Sequence, residues 1–217
     1  MRVILASQSP RRRELLALTG LDFAIVATNV DETQQPGEDP AHYVHRLSQE
    51  KARAAARQID GEALIVAADT IVVDEGEVLG KPETAEEAAA TLRRLRGQIH
   101  HVITAVTLLH TTRSQMITDA CRSPVVMRGY SDVDIADYIA SGDPFDKAGA
   151  YGIQNDAFHP VVDFTHCFAN VMGLPLCHIS RMLRTLDLDT SLDVPMSCQA
   201  GIGYTCPVYD GILRGDI

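Results

Sequence analysis

The segment LASQSPRRRELL, residues 5–16, places basic side chains where a helix rarely carries them. A Ser-Pro pair is typical of the cap and first position of a helix, and Arg11, Arg12 and Arg13 follow it directly. The N-terminus of a helix already carries partial positive charge and unpaired N–H groups. The arginines therefore indicate a bound anion, and the alternative is a solvated basic turn.

Two carboxylates are candidates for metal binding or proton transfer. Asp69 interrupts the apolar run IVAADTIVV, where an uncompensated charge is costly. A metal-binding or general-base role explains this placement, and the structural alternative is a carboxylate bonded to nearby backbone. Glu32 follows Asp31, and Mg²⁺ needs only one or two carboxylates beside substrate phosphates. The Asp31-Glu32 pair by itself is equally typical of a solvated loop.

Three lysines occupy unusual settings and could join the arginines around a triphosphate. Lys51 falls on the apolar stripe of a predicted helix, Lys81 lies in a Gly-Lys-Pro loop, and Lys147 lies among small residues. Arginine and lysine are the usual partners of phosphate, although each lysine alone could be ordinary surface. The sequence contains no GxxxxGK[ST] loop, no GxGxxG and no motif that pairs a histidine with a nucleophile.

The elements that must position these residues alternate between strand and helix patterns, which predicts an α/β protein. Residues 2–7 predict a strand that runs into the Ser-Pro helix, and residues 23–30 predict a second strand. Residues 39–59 predict a helix and residues 63–74 a long strand. Residues 171–186 predict the last clear helix.

Composition excludes several classes of protein. The chain has 217 residues, 46% hydrophobic and 22% charged, and a net charge of -10. Such an acidic molecule repels nucleic acid polymers and anionic membranes. We find no apolar run of membrane-spanning length and no signal peptide, which predicts a cytoplasmic protein. Five cysteines, an odd number, indicate reduced thiols.

Several segments in order together resemble the Maf proteins, which are nucleoside triphosphate pyrophosphatases. They are LASQSPRRRELL, the ADT of AADTIVV, LGKP, TLRRLRGQIHHVITAV, DKAGAYGIQ and NVMGLPL, spread over roughly residues 3–186. The resemblance implies a Maf/Ham1-like (ITPase-like) α/β fold: a curved mixed sheet with flanking helices and two lobes around a deep groove. It also implies a homodimer.

The activity that the resemblance implies is hydrolysis of a nucleoside triphosphate between its α and β phosphates, which yields the monophosphate and pyrophosphate. SPRR, ADT, LGKP and GIQ together resemble the branch that acts on dTTP and UTP. The alternatives are a pyrophosphatase of the 7-methyl-GTP branch and a non-catalytic nucleotide-binding regulator of cell division.

The resemblance also implies a role for each matching residue. The phosphates would be held by Ser7, Arg11, Arg12, Lys51 and Lys81. Glu32 and Asp69 would hold Mg²⁺ or Mn²⁺, Asp69 would activate the attacking water, and Gln154 would contact the base or nearby groups. On this interpretation the arginines of the first helical turn face a triphosphate.

The C-terminal end departs from the family pattern. We expect residues 1–186 to form the Maf-like pyrophosphatase domain and residues 187–217 to form an irregular, cysteine-containing extension. Four thiols could converge on zinc or an iron–sulfur cluster, although their spacing matches no compact CxxC pattern and four unconnected reduced thiols are the alternative. These four are Cys167, Cys177, Cys198 and Cys206.

Overall fold

The computed structural model describes residues 1–113, 115–190 and 192–216. Within them the chain forms seven β-strands and eight α-helices. The strands are β1 Arg2–Leu5, β2 Phe23–Ile25, β3 Ala63–Asp74, β4 Glu77–Leu79, β5 Ile99–His110, β6 Gln115–Met127 and β7 Val161–Val162. The helices are α1 Pro10–Ala17, α2 Pro40–Ala56, α3 Ala85–Leu95, α4 Asp132–Ala140, α5 Phe168–Met172, α6 Leu176–Arg184, α7 Val194–Ile202 and α8 Tyr209–Arg214.

The strands form one mixed sheet in the order β2-β1-β3-β5-β6-β7, with β4 paired to β3. β1 runs parallel to both of its neighbours, whereas β5 and β6 pair in antiparallel fashion with the strands beside them. Helices pack on both faces of this sheet. The predicted α/β class with a mixed sheet is confirmed.

The side chains of β3 alternate between two cores. The even-numbered residues of 64–68 pack in the cluster that contains α1 and α6, and the odd-numbered residues of 63–67 pack against α2. Successive side chains of a strand point to opposite faces of the sheet. The alternation therefore directs Asp69 toward α2 and Thr70 toward α1.

Helix α1 begins as the Ser-Pro pair predicts. Ser9 is its N-cap, Pro10 is its first residue, and no acidic residue lies in the first turn. Leu15 and Leu16 are fully buried against the sheet. This packing fixes the helix so that its basic first turn lies at the edge of β1 and β3.

The predicted helix of residues 171–186 is interrupted. Helix α5 ends at Met172, Gly173 adopts the left-handed conformation with φ 107°, and α6 begins only after Pro175. A left-handed glycine commonly terminates a helix, and proline lacks the N–H that a continuing helix needs. The break leaves the carbonyl of Gly173 available to Arg12.

The C-terminal extension is helical, so the expectation that residues 187–217 are irregular was wrong. Asp193 caps α7, Gly203 ends it, and α8 follows. Both helices are short, and they gain stability from Val194 and Ile212, which are buried in the same core as α1 and α6. The division of the chain at residue 186 stays a prediction.

No helix within the described ranges is long and apolar enough to cross a membrane.

Candidate active site

A groove of about 840 Å³ lies beside the edge where α1, α2 and β3 meet. Its walls come from the first turn of α1, the loop after β2, α2, β3, the loop after β4 and the segment that follows α4. All eight residues predicted from the sequence line it: Ser7, Arg11, Arg12, Glu32, Lys51, Asp69, Lys81 and Gln154.

Arg12 is fixed by main-chain and hydroxyl acceptors. Its Nε donates to the carbonyl of Gly173 at 2.9 Å, and its Nη1 donates to the carbonyl of Ala68 at 2.8 Å. Its Nη2 donates to Thr70 Oγ1 at 3.0 Å, and that hydroxyl also contacts Thr104 Oγ1. Burial lowers the pKa of the Arg12 guanidinium. A guanidinium has five N–H donors, so this orientation leaves donors for an anion in the groove.

The other two arginines of the turn have different partners from Arg12. Arg11 Nη1 donates to Asp146 Oδ2 at 3.0 Å, and Asp146 also lines the groove. Arg13 is exposed. The basic turn is thus partly bound to the protein itself and partly solvated.

Lys51 joins two carboxylates at the base of the groove. Its Nζ lies 2.6 Å from Asp69 Oδ1 and 2.6 Å from Glu32 Oε1. Lys51 and Asp69 are both buried, whereas the Glu32 side chain is 53% exposed. The buried lysine of the apolar stripe therefore meets anions and does not extend to solvent.

Glu32 reaches the groove from a loop that α2 holds in place. Tyr43 Oη donates to the carbonyl of Glu32 at 2.6 Å, and Arg46 Nη2 donates to the carbonyl of Thr33 at 3.1 Å. Burial acts to raise the pKa of Glu32, but its hydrogen bond and ion pair with Lys51 lower it overall, which keeps the side chain anionic. Asp31 instead accepts from the N–H of Thr33, which is typical of a turn.

The remaining predicted residues complete the walls. Ser7 is buried, and its Oγ accepts from the N–H of Ser9 at 3.2 Å. Lys81 and Gln154 are exposed and line the open part of the groove. A Cβ at Gly152 would lie 2.9 Å from Lys147 Cε and 3.2 Å from Gln154 Nε2, so only glycine allows these side chains their positions.

The two carboxylates fit a divalent cation. Glu32 and Asp69 lie close together in the groove, because each has one oxygen 2.6 Å from the Nζ of Lys51. Carboxylate oxygens are the ligands that Mg²⁺ and Mn²⁺ prefer, and substrate phosphates commonly complete the coordination.

The chain matches the family described as Maf-like protein over residues 2–186. It belongs to the Maf family. Relatives named dTTP/UTP pyrophosphatase cover most of this Maf chain. The protein of Citrifermentans bemidjiense is 43% identical over 184 residues, 85% of this chain and 95% of that protein. The protein of Escherichia coli O157:H7 is 46% identical over 182 residues, 82% of this chain and 90% of that protein.

Among solved structures, the Maf chain is similar to the Staphylococcus aureus Ham1 protein. The TM-score is 0.40 at 11% sequence identity, with 59% of this chain and 73% of that chain covered.

Of the two alternatives for the C-terminal cysteines of this Maf chain, a zinc or iron–sulfur site and four unconnected thiols, the structure agrees with the second. Cys167, Cys177, Cys198 and Cys206 line one small apolar cavity. Within residues 1–113, 115–190 and 192–216, however, no group of three or more His, Cys, Asp or Glu side chains is placed to hold a metal ion. The four thiols are free and buried, and burial raises the pKa of Cys177 to about 12. They are constituents of an apolar contact between α5, α6, α7 and the segment that follows α7.

Sequence reasoning missed three residues of the Maf groove. Thr70 orients Arg12, Tyr43 holds the Glu32 loop, and Asp146 contacts Arg11. Thr70 could have been found from the strand alternation, since it directly follows Asp69 on β3. The contact of Asp146 with Arg11 spans 135 residues, and that of Tyr43 with Glu32 joins a helix to an irregular loop, so no local pattern predicts either.

Proposed function

We propose that this protein is a nucleoside triphosphate pyrophosphatase that hydrolyses the α–β phosphate bond of dTTP or UTP. The products are the nucleoside monophosphate and pyrophosphate. The observation that carries the proposal is a buried carboxylate, Asp69, at the base of a groove whose walls carry Arg12, Lys51 and Lys81. Membership of the Maf family and the names of its relatives support this activity.

The reaction requires a water to attack the α phosphorus. We assign Asp69 as the base that accepts the proton of this water while the new oxygen–phosphorus bond forms and the bridging bond to the β phosphate breaks. Lys51 holds the Asp69 carboxylate in place. Arg11, Arg12 and Lys81 stabilise the negative charge that develops on the departing pyrophosphate.

A divalent cation would be held by Glu32 and Asp69. Such an ion, when bound, supplies positive charge to the phosphates and lowers the pKa of a coordinated water. The residues that contact the nucleotide beyond the phosphates include Gln154, which lines the open end of the groove. We propose that it contacts the base.

The pyrimidine preference rests on the relatives named dTTP/UTP pyrophosphatase, two of which are 43% and 46% identical to this chain. The two alternatives are a 7-methyl-GTP pyrophosphatase and a regulator that binds nucleotides without turnover. A regulator has no use for a buried base, and Asp69 with its lysine partner therefore favours the enzyme. A dimeric, cytoplasmic enzyme that acts on free nucleotides stays a prediction.

The test is pyrophosphate release in Mg²⁺ from dTTP, UTP, the other common nucleoside triphosphates and 7-methyl-GTP. We expect the highest kcat/KM for dTTP and UTP. A higher kcat/KM for 7-methyl-GTP would contradict the assigned substrate but would agree with the proposed type of reaction. Binding of nucleotides without release of pyrophosphate would favour the regulator.

A further inference from the structure

Asp146 connects two cations that face the groove from different parts of the chain. Its Oδ2 accepts from Arg11 Nη1 at 3.0 Å, and its Oδ1 accepts from Lys147 Nζ at 2.6 Å. Arg11 belongs to α1, whereas Asp146 ends a 3₁₀ segment, Asp143–Asp146, that follows α4. The three side chains line the groove. Each oxygen of the Asp146 carboxylate thus accepts one hydrogen bond, one from Arg11 and the other from Lys147.

The ammonium of Lys147 uses all of its hydrogen-bond donors within this segment. Its Nζ also donates to the carbonyl of Asp143 at 2.7 Å and to Asp143 Oδ1 at 2.8 Å. An ammonium has three N–H donors, so these contacts and the one to Asp146 occupy all of them. Lys147 is 7% exposed and cannot bind a further anion in this arrangement.

Of the two acidic partners of Lys147, only Asp146 is placed to leave. Asp143 Oδ2 accepts from Tyr138 Oη at 2.6 Å and from Asn155 Nδ2 at 3.1 Å, which fixes its carboxylate. The Asp146 side chain is 62% exposed. Movement of Asp146 toward solvent would free one donor on Lys147 and one on Arg11.

We propose that the Asp146 carboxylate occupies the position of a substrate phosphate between Arg11 and Lys147, and that substrate and pyrophosphate displace it when they bind. This inference rests on the proposed function and deepens it. Carboxylate and phosphate present oxygens to the same fork of donors, and the more highly charged polyphosphate replaces the carboxylate. The return of Asp146 to the two cations then competes with pyrophosphate and favours its release.

The displacement exchanges one anion for another and does not involve a proton. Burial acts to raise the pKa of Asp146, but its contacts with Lys147 and Arg11 lower it overall, so the side chain is anionic at neutral pH. Its charge therefore opposes phosphates for as long as it remains in the groove.

The experiment compares Asp146→Asn with the matched control Asp132→Asn. Asp132 also accepts from two arginines, Arg93 and Arg96, and its side chain is 63% exposed, but it does not line the groove. We expect Asp146→Asn to lower both the KM for UTP and the inhibition constant of inorganic pyrophosphate about two- to five-fold, the range for a partly exposed ion pair. Asp132→Asn leaves both values as in the unmodified protein.

A KM and an inhibition constant that stay unchanged or rise in Asp146→Asn would overturn the proposal, because Asp146 would then orient the two cations for the substrate. Asp146→Glu keeps the charge, and we expect it to restore values close to those of the unmodified protein. Calorimetric titration with pyrophosphate alone measures the same competition without turnover. If Asp146→Asn binds pyrophosphate more tightly than the unmodified protein, and neither protein hydrolyses UTP, the result would support this inference and contradict the proposed function.

Discussion

At the residue scale, Arg11 and Arg12 are neighbours with different partners. Arg12 is held by the carbonyls of Gly173 and Ala68, which gives its guanidinium one orientation in the groove. Arg11 is held by Asp146, whose side chain is 62% exposed. The sequence predicts that both face an anion, because a basic first turn opposes the helix dipole. It does not predict which of the two is fixed, since the partners of both arginines come from segments more than fifty residues away.

Asp69 is the residue on which the proposed reaction depends. We expect Asp69→Asn to reduce turnover of UTP about 10²–10⁴-fold, the usual contribution of a general base, and to leave nucleotide binding within a few-fold. Initial rates of pyrophosphate release and calorimetric binding measure the two quantities. The matched control is Asp74→Asn, because Asp74 is also buried on β3 but pairs with Arg94 outside the groove. Near-normal turnover in Asp69→Asn would contradict the assignment.

At the scale of elements, the long periodic segments are the ones that the sequence predicts best. The predicted strand of residues 63–74 agrees with β3, and the predicted helix of residues 39–59 agrees with α2 except at its end. Strand β2 is shorter than predicted, because only Phe23–Ile25 pairs with β1. Tertiary contacts decide where such elements end, and the local sequence propensity carries no information about these contacts.

Thr84 and Glu87 have the spacing of a capping box at the start of α3, and this box is only partly formed. Thr84 Oγ1 accepts from the N–H of Glu87 at 3.1 Å, as expected. The Glu87 carboxylate, however, accepts from the N–H of Glu83, one residue before the cap. The cap thus satisfies the N–H of Glu87, whereas the Glu87 carboxylate binds the N–H of Glu83 in place of the N–H of Thr84.

The extension contributes to the core through Ile212, which is 2% exposed. We expect Ile212→Ala to lower the free energy of unfolding by about 2–4 kcal/mol, because it leaves a cavity beside α6. Met196 lies on the same extension but is 63% exposed, and Met196→Ala serves as the control with a change within about 0.5 kcal/mol. Urea denaturation measures both. A loss in Ile212→Ala no larger than in the control would show that the extension does not stabilise the core.

At the scale of the whole molecule, a net charge of -10 coexists with a groove that gathers cations. Composition alone therefore predicts that the general surface does not bind polyanions. It does not predict the anion site in the groove. The separation follows from the fold, which brings α1, α2 and the loop after β4 to one edge of the sheet.

Stability of the whole molecule depends on pH through His100. This histidine is 1% exposed, and burial lowers its pKa from 6.5 to about 4. The unfolded chain binds a proton below about pH 6.5 while the folded protein does not until about pH 4, so stability is lost as the pH falls through that range. From pH 7 to pH 5 we expect this one group to remove about 2 kcal/mol of the free energy of unfolding.

The measurement is urea denaturation at both pH values for the unmodified protein, His100→Asn and His42→Asn. His42 is exposed, so its variant should lose as much stability on acidification as the unmodified protein. His100→Asn should lose about 2 kcal/mol less. Equal losses in all three proteins would mean that His100 has no part in the pH dependence.

Hydrolysis of UTP in water enriched with oxygen-18 tests the central claim most directly, because it identifies the phosphorus that water attacks. The protein is incubated with UTP and Mg²⁺, and the products are analysed by mass spectrometry. We predict that the heavy oxygen appears in UMP and that pyrophosphate carries none, as attack on the α phosphorus requires. Label in pyrophosphate or in orthophosphate, or binding of UTP without any hydrolysis, would contradict the account.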